Sequence, residues 1–400
     1  MDRFPLVDES FDNKEIFSCI QTLLSGQLTM AEKVLHFEIE FSKYLNMPYC
    51  VMVNSGSSAN LLAFSAITNP IRKKHLDKGD KVAVPAVCWS TSLWPIIQTG
   101  LIPVLVDVDP HTFNLSISSL KEAISKHDIK AVMMVHVLGN STNMMELIEI
   151  VKDNDLLLIE DTCESLDSRY CEKNLGTFGD FGTFSFYYSH HMTTIEGGMI
   201  VAEDLEDLDL IKCLRTHGWS REQSNKKIIE DSNPHIDPRF LFINIGYNVR
   251  PTELQAAFGI EQLKRLHEMS SNRRKNVNKI RQSFLNHQDW NNQLIFPEPS
   301  PDLDPCWFGF PFLISENLSI DRELLVSVLL EEGIDTRPIV SGNMALQPAL
   351  HHFEIELDLG PFVGAQLIHE RGLFIGCHSQ PLSHDRVDLL TDLILRSCRE

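Results

Sequence analysis

Leu156-Leu157-Leu158-Ile159-Glu160-Asp161-Thr162-Cys163-Glu164-Ser165 passes from four aliphatic residues straight into carboxylates and small polar groups. A short, unbroken apolar run closed by polar residues reads as a strand buried on both faces. Tyr49–Val53, Lys81–Val84, Val104–Val106 and Ala131–Val135 are runs of the same kind, closed by Asn54, Pro85, Asp107 and His136. Amphipathic segments such as Ser118–Lys126 and Met145–Asn154 lie between them. This alternation predicts an α/β fold with a mostly parallel central sheet covered by helices on both faces. Sheets of that type bind ligands at the carboxyl ends of their strands. Glu160, Asp161 and Glu164 stand at such an end.

Downstream, Phe181–Phe186 and Gly198–Val201 read as two further strands. Leu254, Ala257, Phe258, Leu263 and Leu266 fall near a helical period, so Thr252–Glu268 reads as a helix, with Pro251 suited to its first turn. The Asn-, Pro- and Asp-rich stretch from Asn286 to Asp304 marks a boundary. It divides a large domain, residues 1–285, from a smaller α+β domain, residues 286–400, in which Trp307–Ile314 and Arg322–Glu332 suggest a strand and a helix. The acidic run Glu203–Asp209 reads as a solvated helix face rather than a metal site.

The chain has 400 residues, 35 Lys+Arg against 55 Asp+Glu, and a net charge of −20. That balance argues against nucleic acid as a partner, because phosphate backbones are met by clustered Lys and Arg. No apolar run is long enough to span a bilayer, and Met1-Asp2-Arg3-Phe4-Pro5 lacks the layout of a secretory signal. The 9 cysteines are scattered with no CxxC pair. Neither a metal site nor a disulfide framework is therefore indicated, and a cytoplasmic location is expected.

Two segments admit two readings each. In Asn54-Ser55-Gly56-Ser57-Ser58-Ala59-Asn60, small residues open a helix. They serve either as a helix cap or as a phosphate cradle built from backbone amides and hydroxyls at the helix's positive end. Asp161 is either a cap or the partner of a cationic group such as a protonated pyridine nitrogen.

Gly179-Asp180-Phe181-Gly182-Thr183-Phe184-Ser185-Phe186-Tyr187-Tyr188-Ser189-His190-His191, followed by Gly197-Gly198, carries a resemblance. The chain resembles the DegT/DnrJ/EryC1/StrS family of pyridoxal-phosphate-dependent sugar aminotransferases. That family's pattern is Gly-Asp-x-x-x-Phe-Ser-Phe, then a lysine five residues after the serine, then Gly-Gly. Here the lysine position holds His190. Val84-Pro85-Ala86-Val87-Cys88-Trp89-Ser90-Thr91, His136–Asn140 and Gly246–Ala257 are also similar to family segments. Trp307–Pro311 and Thr336–Asn343 resemble the family's lysine-less sugar 3-dehydratases.

The resemblance implies an aspartate-aminotransferase-type fold and a homodimer with shared active sites. It implies pyridoxal or pyridoxamine phosphate as cofactor, held by Gly56, Ser57, Ser58, Trp89, Asp161, Glu164 and Ser185, with Asn248 given by the neighbouring subunit. It makes His190 the catalytic acid–base, since imidazole moves protons near neutral pH. The implied reaction removes the C3 oxygen of a nucleotide-linked 4-keto-6-deoxy sugar, most often GDP-linked, and L-glutamate restores the amine form of the cofactor. One branch of these dehydratases carries an iron–sulfur cluster on cysteines downstream of the His-His pair. No cysteine lies between Arg215 and Val249 here, so no cluster is expected. His217, Arg250 and Arg337 are candidates for substrate contact. Arg250 has a second reading as a partner of Glu253, and Lys173 is the nearest upstream candidate for a lysine that replaces the missing one.

Overall fold

The computed structural model describes residues 3–353 and 360–398. The aliphatic runs form one seven-stranded sheet: β1 (Tyr49–Val53), β2 (Lys81–Pro85), β3 (Ile102–Val106), β4 (Ile129–Val135), β5 (Leu157–Asp161), β6 (Phe181–Ser185) and β7 (Gly198–Ala202), in the order β1-β7-β6-β5-β4-β2-β3. β7 is antiparallel to both its neighbours, and the remaining pairs are parallel. Side chains on both faces are buried because helices cover both faces. The strand-like runs read between Tyr49 and Val201 fall on this sheet, shifted by at most two residues at their ends.

The helices are α1 (Asn13–Ser25), α2 (Glu32–Leu45), α3 (Gly56–Ile67), α4 (Ser90–Gln98), α5 (Ile117–Lys126), α6 (Met144–Asp153), α7 (Leu205–Arg215), α8 (Lys226–Ser232), α9 (Glu253–Asn286), α10 (Arg322–Glu331), α11 (Val363–Arg371) and α12 (His384–Ser397). A second, antiparallel sheet of β8 (Leu294–Ile295), β9 (Gly309–Ile314), β10 (Thr336–Pro338) and β11 (Gly372–Gly376) runs in the order β8-β9-β11-β10. Its core takes in Phe4 from the start of the chain and Val277, Ile280 and Phe284 from the end of α9.

Three expectations need correction. α9 continues well past Glu268, to Asn286. In its second half the buried apolar residues Val277, Ile280 and Phe284 are interleaved with buried polar ones, which obscures the period. Arg273 donates to the Cys377 carbonyl at 2.6 Å, and Asn276 donates to the carbonyls of His378 and Gln380. The acidic run is not wholly solvated: Asp207, 7% exposed, takes two bonds from Arg72, which also reaches Asp180 at 3.0 Å. Glu253 does not pair with Arg250. It is 1% exposed, and its carboxylate accepts the amides of Ala31, Lys33 and Val34 at 2.8–2.9 Å. It therefore supplies the first turn of α2 with the cap that Ala31 lacks. Glu253→Ala is expected to cost about 2 kcal/mol, by loss of the cap and burial of unpaired amides, measurable as a lowered urea midpoint.

Candidate active site

β5 ends in Asp161, and the site is built around it. Its side chain is 4% exposed. One oxygen accepts Asn60 Nδ2 at 2.8 Å and Ser92 Oγ at 2.7 Å; the other accepts the Cys163 amide at 3.1 Å. Asn60 is held in turn by the Thr183 hydroxyl on β6, at 2.6 Å. Three neutral donors thus surround a buried carboxylate, and among the described residues it has no ion-pair partner. Carboxylate oxygens accept about two bonds each, so the oxygen facing Cys163 keeps one site for a further donor. A buried charge calls for a cation, and a protonated ring nitrogen fits that donor set.

Glu160, the neighbour of Asp161 in β5, points to the other face. It bonds His136 Nε2 at 3.0 Å and the amides of Gly176, Phe178 and Gly179. Burial raises its pKa, but His136 and the amides outweigh burial and leave it lowered. Glu160, through these bonds, pins the loop after β5 beneath the site.

The Ser55 hydroxyl accepts the Ser58 amide and caps α3, so the capping reading of this segment is correct. The phosphate reading is compatible with it. A Cβ at Gly56 would stand 2.6 Å from Ser185 Cβ and 2.8 Å from Cys163 Sγ, so only glycine lets the helix start approach β6 this closely. Ser57 bonds Thr91 at 2.9 Å at the start of α4. Trp89, just before α4, is 55% exposed, a large ring with an uncovered face.

His190 is half-buried. Its Nδ1 lies 2.5 Å from the Cys163 carbonyl. A carbonyl only accepts, so Nδ1 carries the proton and Nε2 presents a lone pair. Burial is the main cause holding its pKa down, to about 4, against the Cys163 carbonyl and Asp161, which raise it. At neutral pH His190 is therefore an uncharged base. Phe308 packs its ring edge-on at 5.1 Å. His191 is fully buried and donates from Nε2 to the Cys306 carbonyl at 2.8 Å. Burial also pushes the Cys163 thiol up, so it remains a protonated packing group.

Glu164 accepts the Leu138 amide at 3.2 Å. Burial lifts its carboxyl to about 7; the Leu138 amide opposes the rise, and Asp161 adds to it. As pH rises through 7, the site gains a negative charge beside Asp161. The KM for an anionic substrate should therefore climb above pH 7 and stay flat in Glu164→Gln; steady-state kinetics from pH 6 to 8.5 check it.

The structure gathers Gly56, Ser57, Ser58, Trp89, Asp161, Glu164, Ser185 and His190 around the carboxyl ends of β1, β2, β5 and β6. The remaining candidates lie elsewhere on the chain. Asn248 is exposed, bridges to Thr216 and accepts Arg250 Nε at 2.9 Å. His217 adopts a left-handed backbone, with φ 58°, and packs on Trp219. Trp219, Arg221 and Arg250 line a cavity of about 440 Å³ together with Arg215 and Lys212. Arg337 is exposed on β10 and bonds only its own neighbour's carbonyl, Thr336, at 2.9 Å. Lys173 is exposed and sits over the Phe178 ring.

Asn60, Ser92 and Phe308 were not singled out as site residues. Asn60 and Ser92 had a signal: each lies three residues beyond a named site residue, Ser57 or Trp89, near the start of a helix. Phe308 reaches His190 only through the tertiary fold.

Residues 9–393 match the pattern of the DegT/DnrJ/EryC1/StrS aminotransferase family, and the chain belongs to that family. It is 39% identical over 398 residues to a GDP-4-keto-6-deoxy-D-mannose 3-dehydratase of Escherichia coli O55:H7, covering 98% of this chain and 100% of the relative. The structure superposes on E. coli GDP-4-keto-6-deoxy-D-mannose-3-dehydratase with bound hydrated PLP, with a TM-score of 0.91, 38% identity and coverage of 98% and 100%. A second structure of a GDP-4-keto-6-deoxymannose-3-dehydratase, holding a trapped PLP–glutamate geminal diamine, matches with a TM-score of 0.90 at 38% identity and the same coverage. The fold is thus the α/β aminotransferase-like fold expected from the sequence.

Proposed function

We propose that this chain is a dehydratase dependent on pyridoxal and pyridoxamine phosphate, acting on a GDP-linked 4-keto-6-deoxy sugar and fed by L-glutamate. The observation that carries the reading is His190: a neutral imidazole with Nε2 free stands where the family's aminotransferases place a lysine. Sugar and glutamate go to the 4-keto-3,6-dideoxy sugar, 2-oxoglutarate and ammonia. The oxygen lost from C3 balances the oxygen gained by the glutamate carbon skeleton, so glutamate is the two-electron reductant and no iron centre is called for.

The cofactor, when bound, supplies an electron sink beside the reacting sugar carbon. The chain's residues do the rest. Asp161 holds the proton on the ring nitrogen. The amides and hydroxyls of Gly56, Ser57 and Ser58, with the Ser185 hydroxyl, bind the phosphate at the positive end of α3. Trp89 stacks on the ring face, and Glu164 faces the ring hydroxyl. His190 Nε2 takes a proton and returns it to the departing C3 hydroxyl, while Nδ1–H stays on the Cys163 carbonyl and fixes the ring's direction.

We assign the cationic cavity at Trp219, Arg221 and Arg250 to the nucleotide's diphosphate, with His217 and Arg337 near the sugar path. The working unit is a homodimer in which Asn248 is given to the neighbouring site. The exposed apolar face of α1, with Ile16, Phe17, Ile20, Leu23 and Leu24, supports it. No helix among the described residues is long and apolar enough to cross a membrane, and a cytoplasmic location is part of the proposal.

Borohydride reduction of the cofactor-loaded protein, followed by peptide mass spectrometry, tests the reading. No lysine should carry a pyridoxyl group. An adduct on Lys173 or any other lysine would restore the aminotransferase reading.

A further inference from the structure

Arg273, in the middle of α9, is 3% exposed and has no ion-pair partner among the described residues. A guanidinium does not shed its proton, so this is a standing buried positive charge. Such charges are costly to bury alone. Its Nη1 donates to the carbonyls of Phe308 at 3.2 Å and Cys377 at 2.6 Å, and its Nε is buried without a partner. These two carbonyls anchor the side chain, and among the described residues no carboxylate neutralises it.

The three-residue stretch Cys306-Trp307-Phe308 links Arg273 to both histidines. The Cys306 carbonyl accepts His191 Nε2, the Phe308 carbonyl accepts Arg273, and the Phe308 ring lies 5.1 Å from His190 and 5.8 Å from His191. The Phe308 amide also donates to the Leu138 carbonyl at 3.0 Å, which holds the stretch from its other side. His191 Nδ1 is buried with no partner, so a proton there would add a second unmet donor beside Arg273.

We propose that Arg273 is a positioning residue for the His190 chemistry: it fixes Phe308 against both imidazoles and places an uncompensated positive charge behind them, biasing His190 toward its neutral, proton-accepting form. The groups facing the two rings are few. Asp161 and Cys163 face His190 from the end of β5 and the loop after it, and Tyr187, just after β6, packs edge-on against its ring at 6.1 Å. Arg273 faces both rings from α9. Arg274 faces His191 from α9 but is itself neutralised by Asp167 and Asp304, each at 3.0 Å. Cys306 faces His191 from the linker, and each histidine faces the other. Burial lowers both histidines first, and Arg273 acts in the same direction on each. Asp161 alone among the charged groups favours a protonated His190.

The proposal rests on His190 being the base, so its test must not depend on turnover. Diethylpyrocarbonate acylates imidazole only in its neutral form. Its rate at His190, followed by peptide mass spectrometry on the cofactor-loaded protein from pH 4 to 8, reports the ring's protonation directly. The native half-point should lie well below the ordinary value of about 6.5. Arg273→Met should move it up by about one pH unit. Arg273→Lys, which keeps the charge, should leave it in place, and the acid limb of the glutamate half-reaction should move in parallel. A native half-point at or above 6.5, an unmoved Arg273→Met, or an Arg273→Lys displaced as far as Met would overturn the proposal. If Arg273→Met does not fold, Arg273→Gln takes its place under the same criteria. Failure of the functional reading looks different: His190→Asn would turn over normally while these half-points still followed the charge at residue 273.

Discussion

His190→Asn is expected to lower dehydration by about 100- to 10,000-fold, the range set by loss of a general acid–base. Asparagine keeps a donor that can reach the Cys163 carbonyl, so the local fold and the cofactor's affinity should change little. What it lacks is a group that both accepts and returns a proton near neutral pH. The glutamate half-reaction should fall with the full reaction, because the same nitrogen moves the proton in both. Stopped-flow absorbance of the cofactor, with equilibrium dialysis for its affinity, separates the two effects. A variant that binds cofactor normally and turns over normally would place the base elsewhere.

Asp161→Asn is expected to lower both half-reactions by about 100- to 1,000-fold, the usual cost of removing one preorganised charge from a site, and to weaken cofactor binding. The side chain's volume is unchanged, and its oxygen can still take the Ser92 hydroxyl. The amide nitrogen then takes the place of the oxygen that accepts the Cys163 amide and sets donor against donor. Without a carboxylate the ring nitrogen has nothing to hold its proton. The cofactor's absorbance should then titrate at lower pH than in the native protein. An unchanged spectrum and rate would mean that Asp161 is only a structural acceptor.

The sheet was legible in the sequence because its strands are buried on both faces, so their aliphatic runs are unbroken. Asp161 and Glu164 were legible for a related reason: carboxylates directly after a buried strand fall at the ligand-binding edge. The helix after Pro251 was readable only where its buried face is apolar. Beyond Glu268 that face includes Arg273 and Asn276, which look like solvent residues until the carbonyls of Cys377, His378 and Gln380 are placed against them. Glu253 was misread for the same cause, since its partners are the bare amides at the start of α2, far off in sequence. Asp207 looked solvated until Arg72 was placed beside it. The histidine in the lysine position was legible by resemblance, but its tautomer was not. That depends on a carbonyl, Cys163, whose identity as a partner no side-chain pattern encodes.

The central claim is that a histidine in the lysine position removes oxygen from C3 rather than placing nitrogen at C4. The direct test is incubation of the purified protein with pyridoxal phosphate, L-glutamate and GDP-4-keto-6-deoxymannose, with the sugar product and 2-oxoglutarate followed by mass spectrometry. The expected product is a GDP-linked 4-keto sugar lacking the C3 oxygen, formed in step with one 2-oxoglutarate and one ammonia. A product that keeps the C3 oxygen and carries an amino group would contradict it.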